Sequence, residues 1–134
     1  MTTSRILNIK LLILSFLVSG PLLLLRAAPS PEDKEQAVAV LEQAVKTNPN
    51  NSEIWVHLGF AYRKAEKIDQ ARDAFEKAAS LNPQATEAYY MLGLIYESKH
   101  DTASATKAWQ NYMAAEKDLE KRAIAQKHLH VLGQ

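Results

Sequence analysis

The fold is decided by residues 52–85, which read SEIWVHLGFAYRKAEKIDQARDAFEKAASLNPQA. The stretch that follows, 86–119, reads TEAYYMLGLIYESKHDTASATKAWQNYMAAEKDL and repeats the same order of large and small apolar side chains. The pairs that recur at this offset are Trp55 and Tyr89, Leu58 and Leu92, Gly59 and Gly93, Tyr62 and Tyr96, Ala71 and Ala105, and Phe75 and Trp109. Agreement at so many positions identifies a tandem repeat with a period of about 34 residues.

Each repeat unit carries the periodicity of two consecutive helices. Two stripes have the i, i+3, i+4, i+7 spacing of one helical face, namely Trp55, Leu58, Gly59 and Tyr62, and then Ala71, Ala74, Phe75 and Ala78. The polar run 66–69 between them predicts a turn, with Asp69 as N-cap of the second helix and Ser52 as N-cap of the first. Asn82 ends the second helix, because Pro83 disfavours helical geometry in the residue before it. Each unit is therefore predicted to be an antiparallel helix pair.

The pattern resembles the tetratricopeptide repeat (TPR), whose signature of Trp, Leu, Gly, Tyr, Ala, Phe, Ala and Pro is complete in residues 52–85. In the second unit, Tyr112 replaces the last small residue and Lys117 replaces the proline. The resemblance implies an all-α fold, in which antiparallel helix pairs stack into a short right-handed solenoid. Glu66 and His100 stand where the family usually has a glycine in the turn. A left-handed conformation at either residue is expected to cost about 1 kcal/mol.

The repeat divides the chain into an N-terminal segment and a body over 32–134. The predicted parts of the body are a half repeat over 33–51, repeats over 52–85 and 86–119, and a capping helix over 119–132. Gly133 is expected to stop the capping helix. The half repeat matches only the second helix of a unit, because residues 18–31, the place of its first helix, hold an apolar segment and a linker. About three repeats are the minimum for a stable array, so this one is small.

Residues 1–31 have the pattern of a signal anchor or a signal peptide, followed by a Pro-containing linker. Arg5 and Lys10 flank the start of an apolar run, and a helix over 6–25 would be long enough to reach across a membrane. Both alternatives stand, because the candidate cleavage sites match the small-x-small preference poorly. The preceding positive charge predicts a single-pass protein with a cytoplasmic N-terminus and an extracytoplasmic body, periplasmic if the source is bacterial. Cleavage would instead give an exported soluble form.

Charge, cysteine content and motifs exclude several classes of function. Residues 32–134 carry 13 basic and 15 acidic side chains, a net charge of −2, so no nucleic-acid partner is expected. The chain has no cysteine and no phosphate-binding or hydrolase motif. We therefore expect no catalytic residues, no cofactor and no enzyme activity. His128 and His130 are two residues apart and point to different sides of a helix, so we expect a solvated helix end and no metal site.

Six residues of the first helices form a second stripe outside the predicted core stripes, namely Val56, Phe60, Arg63, Tyr90, Leu94 and Glu97. They lie about one hundred degrees from those stripes around the helix. The resemblance implies that this is the concave face, where TPR proteins bind extended or helical peptides. Some members clamp a C-terminal carboxylate there with Lys, Asn and Arg, but these slots hold Val56, Phe60 and Tyr90. An apolar peptide or helix is therefore the expected ligand. In the alternative interpretation, Val56 and Phe60 only cover the open N-terminal end of the array.

The resemblance and the N-terminal segment together predict a protein–protein interaction scaffold. Its groove would hold a segment of a partner protein and assist the assembly of an envelope or membrane complex. The alternative is a structural subunit that self-associates through its uncapped N-terminal repeat end, giving a homo-oligomer.

Overall fold

The computed structural model describes residues 28–134, and all regular structure in this range is helical. The helices are α1 (Pro31–Thr47), α2 (Ser52–Lys64), α3 (Ile68–Leu81), α4 (Thr86–Ser98), α5 (Thr102–Ala115) and α6 (Leu119–Leu132). Each helix packs against its neighbours in the chain, as in the predicted TPR-type stack of antiparallel pairs. The predicted anchor or signal over 6–25 lies outside the described residues. Within 28–134, none of the helices has both the length and the apolar composition needed to cross a bilayer.

The helix starts differ from the sequence predictions. α1 begins at Pro31, inside the predicted linker, because proline fits the first turn, where its missing N–H would have no helical partner. Asn51, not Ser52, is the N-cap of α2, and its side-chain oxygen accepts hydrogen bonds from two first-turn N–H groups at 3.0 and 3.4 Å. α3 begins at Ile68, one residue before the predicted cap Asp69, and its start has no side-chain cap.

The two turns inside the repeat units each contain a non-glycine residue in the left-handed conformation. Glu66 has a φ of 63° and His100 a φ of 58°. In each turn a backbone N–H donates to a tyrosine carbonyl of the preceding helix, Lys67 to Tyr62 and Asp101 to Tyr96, both at 2.9 Å. This six-residue closure needs a left-handed residue, a conformation that glycine adopts without the steric cost of a Cβ atom.

Two aromatic side chains fill the space above two glycines. A Cβ atom at Gly59 would lie 2.6 Å from the ring of Phe75, and a Cβ atom at Gly93 would lie 2.5 Å from the indole of Trp109. Both rings are fully buried. Any larger residue at these glycines would displace an aromatic ring, so the glycines set the distance between the two helices of each unit.

Tyrosine–glutamate hydrogen bonds join successive units at the same repeat position. The hydroxyl of Tyr62 on α2 donates to the carboxylate of Glu42 on α1 at 2.6 Å. The hydroxyl of Tyr96 on α4 donates to the carboxylate of Glu76 on α3. Burial, and next the adjacent carboxylate, raise the pKa of each tyrosine to about 12. Both hydroxyls therefore remain protonated donors at neutral pH.

The capping helix α6 packs on α5 through a small apolar face. Ala125 is fully buried, and Leu129 and Leu132 pack beside it against Trp109 and Tyr112. The helix ends before Gly133, as the sequence predicts. That glycine keeps a negative φ of −87°, so it stops the helix without a left-handed turn.

Candidate binding groove

A mainly apolar groove crosses the first helices of both units and the capping helix. It encloses about 350 Å³, and its apolar lining consists of Phe60, Tyr90, Met91, Tyr112 and Ile124. A second cavity of about 340 Å³ adjoins it along α2 and is lined in part by Val56. Phe60 and Glu87 line both cavities. The two cavities therefore form one continuous groove, which we call the concave groove.

The aromatic rings of the concave groove are held by edge contacts with the buried core. The ring of Phe60 meets the ring of Phe75 edge-on, with centroids 5.2 Å apart. The ring of Tyr90 meets Trp109 edge-on at 5.4 Å and lies 5.7 Å from the ring of Tyr112. These arrangements are favourable for aromatic pairs, so the groove offers a preformed surface to a ligand.

Tyr112 enlarges the apolar lining because it occupies the slot that holds Ala78 in the preceding unit. Its side chain is almost fully buried, and burial, followed by the charge of Glu116, raises the pKa of its hydroxyl. The carboxylate of Glu116 accepts hydrogen bonds from the backbone N–H groups of Lys117 at 2.8 Å and Asp118 at 3.0 Å. The N–H of Asp118 lowers the pKa of Glu116 most, so this carboxylate is ionised at the groove wall.

The charged lining of the concave groove is predominantly acidic. Glu53, Glu87 and Glu116 contribute carboxylates, and Lys121 contributes the one ammonium group among the lining residues. In the part of the chain that the structure describes, no ion pair involves Glu53 or Glu87. The groove therefore combines an apolar lining with negative charge.

Three of the six predicted site residues line the concave groove, namely Val56, Phe60 and Tyr90. Tyr90 is half-buried by its contacts with Trp109 and Tyr112, so it is less exposed than the sequence suggested. Phe60 packs on Phe75 of α3, and Val56 joins the same cluster, so neither serves as cover for α1.

The other three predicted site residues lie elsewhere. The guanidinium of Arg63 sits 5.9 Å from the centroid of the Phe60 ring, outside both cavities. Leu94 packs into the cluster around Trp109. The carboxylate of Glu97 accepts a hydrogen bond from the Trp109 indole at 2.7 Å and also bonds His128 Nδ1 at 2.8 Å. Glu97 therefore fastens α6 to the second unit.

This contact also corrects the prediction for His128. Its ring stacks on Trp109 with centroids 4.2 Å apart, so it is part of the attachment of the capping helix and not a solvated helix end. His130 is exposed, as expected. Within residues 28–134, no three side chains of metal-binding type converge on one point.

Sequence reasoning missed the contributions of Met91, Tyr112, Ile124, Glu87 and Lys121. On α4 the groove residues are 86, 87, 90 and 91, which lie about one turn nearer the helix start than the stripe through 90, 94 and 97. Tyr112 is a large side chain in a repeat position that holds a small residue in the preceding unit, and this difference could have indicated its place in the groove lining. The position of Ile124 depends on how α6 docks, which the repeat pattern does not specify.

Residues 32–93 match the family described as Tetratricopeptide repeat. This segment of the chain therefore belongs to the tetratricopeptide repeat family. Among curated proteins, none matches the sequence. The TPR body is similar to a solved structure of the first TPR of Spaghetti (RPAP3) bound to the HSP90 peptide SRMEEVD. The TM-score is 0.64 at 19% identity, and the likeness covers 77% of this chain and 85% of that chain.

The family match and the structural likeness agree on the fold. In this fold the residues of the concave groove lie on α2, α4, α5 and α6 and in the segments beside them.

Proposed function

We propose that this TPR domain binds an apolar segment of a partner protein in the concave groove and acts by binding, not by catalysis. The observation that carries the proposal is the open apolar lining formed by Phe60, Tyr90 and Ile124. Apolar surface of this kind, held by rigid aromatic contacts, supplies the anchoring pockets on which peptide affinity usually depends.

The charge of the groove favours a partner segment that carries a basic residue beside its apolar anchor. Glu53 and Glu87 are the acidic groups available to such a residue. The solved TPR neighbour is bound to a peptide that ends Glu-Glu-Val-Asp. A segment with that many acidic groups would be repelled here, and the slots of the carboxylate clamp hold Val56, Phe60 and Tyr90 instead of donors. The proposed ligand is therefore apolar and basic.

We also propose that the domain works outside the cytoplasm, tethered by residues 6–25, in the assembly of an envelope or membrane complex. Support comes from Arg5 and Lys10 before the apolar run and from the poor cleavage sites after it. Protease added to spheroplasts should digest the body. Protection of the body would overturn the topology, and a soluble form that begins at Ala28 would overturn the tether.

Site-specific photocrosslinking of the full chain in its own cells tests the binding function. A photoreactive phenylalanine analogue at Ile124 faces the groove, and the same analogue at Lys107 on α5 is the control, since Lys107 is exposed and lines neither cavity. We expect a defined crosslinked protein from position 124 and none from position 107. Mass spectrometry should map the crosslink to an apolar segment with a neighbouring Lys or Arg.

A second variant links the crosslink to the chemistry of the groove. Glu87→Lys reverses the charge that both cavities share and should reduce the crosslinked product by at least about 10-fold. Equal crosslinking from positions 124 and 107 would refute binding in the groove. Capture of an acidic segment would leave the groove as the site and refute only the proposed basic flank.

A further inference from the structure

The capping helix α6 has fewer buried residues than any other described helix. Ala125 is its one buried residue, whereas the other helices bury between two and five residues each. Three of its large apolar side chains, those of Leu119, Ile124 and Val131, are exposed instead. Because the burial of apolar surface supplies most of the free energy of docking, we expect α6 to be the most weakly attached helix.

Open space lies beside both halves of α6. The first half borders the concave groove through Lys121 and Ile124. The second half borders a separate cavity of about 450 Å³, which is lined by Lys127, Val131 and Leu132 on α6 and by the turn that joins α4 to α5. Atoms that face open space make no packing contact on that side. The packed contact between α6 and the rest of the body is therefore narrow.

One polar contact ties the second half of α6 to the second repeat unit. His128 Nδ1 lies 2.8 Å from a carboxylate oxygen of Glu97, and the imidazole ring stacks on the indole of Trp109. The same oxygen of Glu97 accepts a hydrogen bond from the indole N–H of Trp109. Neither Glu97 nor Trp109 belongs to α6, so this second bond remains when α6 moves away. Opening therefore leaves Glu97 with a partner, and the polar cost is limited to the contact of His128.

The linker between α5 and α6 has the geometry of a hinge. Glu116 and Asp118 are extended, with ψ of 131° and 122°. The carboxylate of Glu116 accepts from the next two backbone N–H groups, and the carboxylate of Asp118 accepts from Glu120 at 2.8 Å and Lys121 at 3.2 Å. In the described part of the chain, no hydrogen bond joins this linker to α1, α2, α3 or α4. Rotation about the linker therefore breaks no bond to the rest of the array.

We propose that α6 is a hinged gate of the concave groove, which swings away as a unit about the linker 116–118 while α2 to α5 stay folded. In the closed state α6 supplies Lys121 and Ile124 to the groove wall. In the open state both side chains are withdrawn, and the apolar surface around Tyr112, on which α6 packs, becomes accessible. That the motion regulates a binding site rests on the proposed function, whereas the motion itself does not.

Hydrogen exchange resolved to single amides tests the gate in the purified full chain, kept in a mild detergent. A free helix of 14 residues is only marginally stable in water, so the amides of α6 exchange each time the gate opens. We expect amides 123–132 to share one protection level and to exchange at least about 100-fold faster than the slowest amides of α2 to α5. Their rates should change little in urea below the unfolding transition, because opening exposes little surface.

A pair of histidine variants on the same helix isolates the contact that holds the gate closed. His128→Ala removes the bond to Glu97 and the stacking on Trp109. His130→Ala is the matched control, because His130 is exposed and the same change of residue type occurs in the same helix. We expect His128→Ala to speed exchange of the α6 amides by at least about 10-fold relative to His130→Ala, with the amides of α2 and α3 unchanged.

Four results would overturn the proposal. The first is exchange of α6 at the same rate and with the same urea dependence as α5, and the second is protection that declines gradually from residue 123 to the chain end, as in simple fraying. The third is faster exchange throughout the body in His128→Ala, and the fourth is equal exchange in the two histidine variants. If photocrosslinking finds no partner, the binding function fails, and the exchange rates still decide whether α6 opens.

Discussion

The substitution Gly59→Ala measures how tightly the two helices of a unit are packed. The added methyl group would lie 2.6, 2.7 and 2.8 Å from three ring carbons of Phe75. That ring is fully buried and meets Phe60 on another side, so it has little room to withdraw. Overpacking costs about 1–3 kcal/mol. Three contacts below 3.0 Å with a confined ring place this site in the upper part of that range, at about 2–3 kcal/mol, whereas alanine in place of glycine inside a helix returns about 1 kcal/mol. We expect a net loss of about 1–2 kcal/mol, or a melting temperature about 5–10 °C lower.

Thermal melts followed by far-UV circular dichroism measure this loss, and two further variants isolate its cause. Phe75→Leu removes the ring, so in that background Gly59→Ala should be neutral or stabilising by up to about 1 kcal/mol. Gly133→Ala is the matched control, because its Cβ would lie an ordinary 3.4 Å from the Leu129 carbonyl oxygen. If Gly59→Ala left the melting temperature unchanged or raised it in the otherwise native chain, the conclusion that the Phe75 ring packs tightly against Gly59 would be wrong.

Three further outcomes follow from the structure. Glu66→Gly should stabilise the domain by about 1 kcal/mol in urea melts, because it relieves a left-handed φ of 63°, and a loss of stability would contradict this. The folded pKa of Tyr62 and Tyr96 is about 12, against 10.0 for the free side chain, so the unfolded chain releases these protons first. Their contribution to stability is complete below pH 10 and is lost as the pH rises toward 12. The melting temperature should fall over that window, and by less in Tyr62→Phe. Tyr90→Ala should destabilise the domain by about 2 kcal/mol because the ring packs on the core, whereas Ile124→Asp, at an exposed site, should weaken partner binding by about 10-fold with little change in the melting temperature. Equal melting temperatures for these two variants would contradict the packing of the Tyr90 ring, which lines the groove, on the buried core beneath it.

The fold could be predicted from the sequence because the same order of large and small apolar side chains occurs in two consecutive units. The match of Gly59 with Gly93, and of Phe75 with Trp109, gives both the helix pairing and the close approach that the structure contains. The left-handed turn residues could be predicted from the glycine slot for the same reason. Helix starts were harder, since Asn51 and Ser52 are both good caps and backbone geometry decides between them.

The groove could be predicted only in part, because its residues depend on how separate helices dock. The helical period places Tyr90 away from the core stripe, but it does not show that Trp109 and Tyr112 lie beneath its ring. In the same way, the period puts Glu97 on the groove stripe without revealing that His128, far along the chain on α6, returns to bond its carboxylate. The repeat periodicity does not specify which residues the capping helix contacts, so these contacts could not be predicted from the sequence.

The interunit bonds from Tyr62 to Glu42 and from Tyr96 to Glu76 imply that the array can be lengthened by duplication. A second copy of residues 52–85, inserted after Ala85, would supply one new tyrosine and one new glutamate. The new tyrosine would meet Glu76 of the original unit, and the new glutamate would meet Tyr96. Every joint of the longer protein would keep its donor and acceptor, and both end surfaces would be unchanged. The body is therefore extensible from its middle, one repeat cassette at a time.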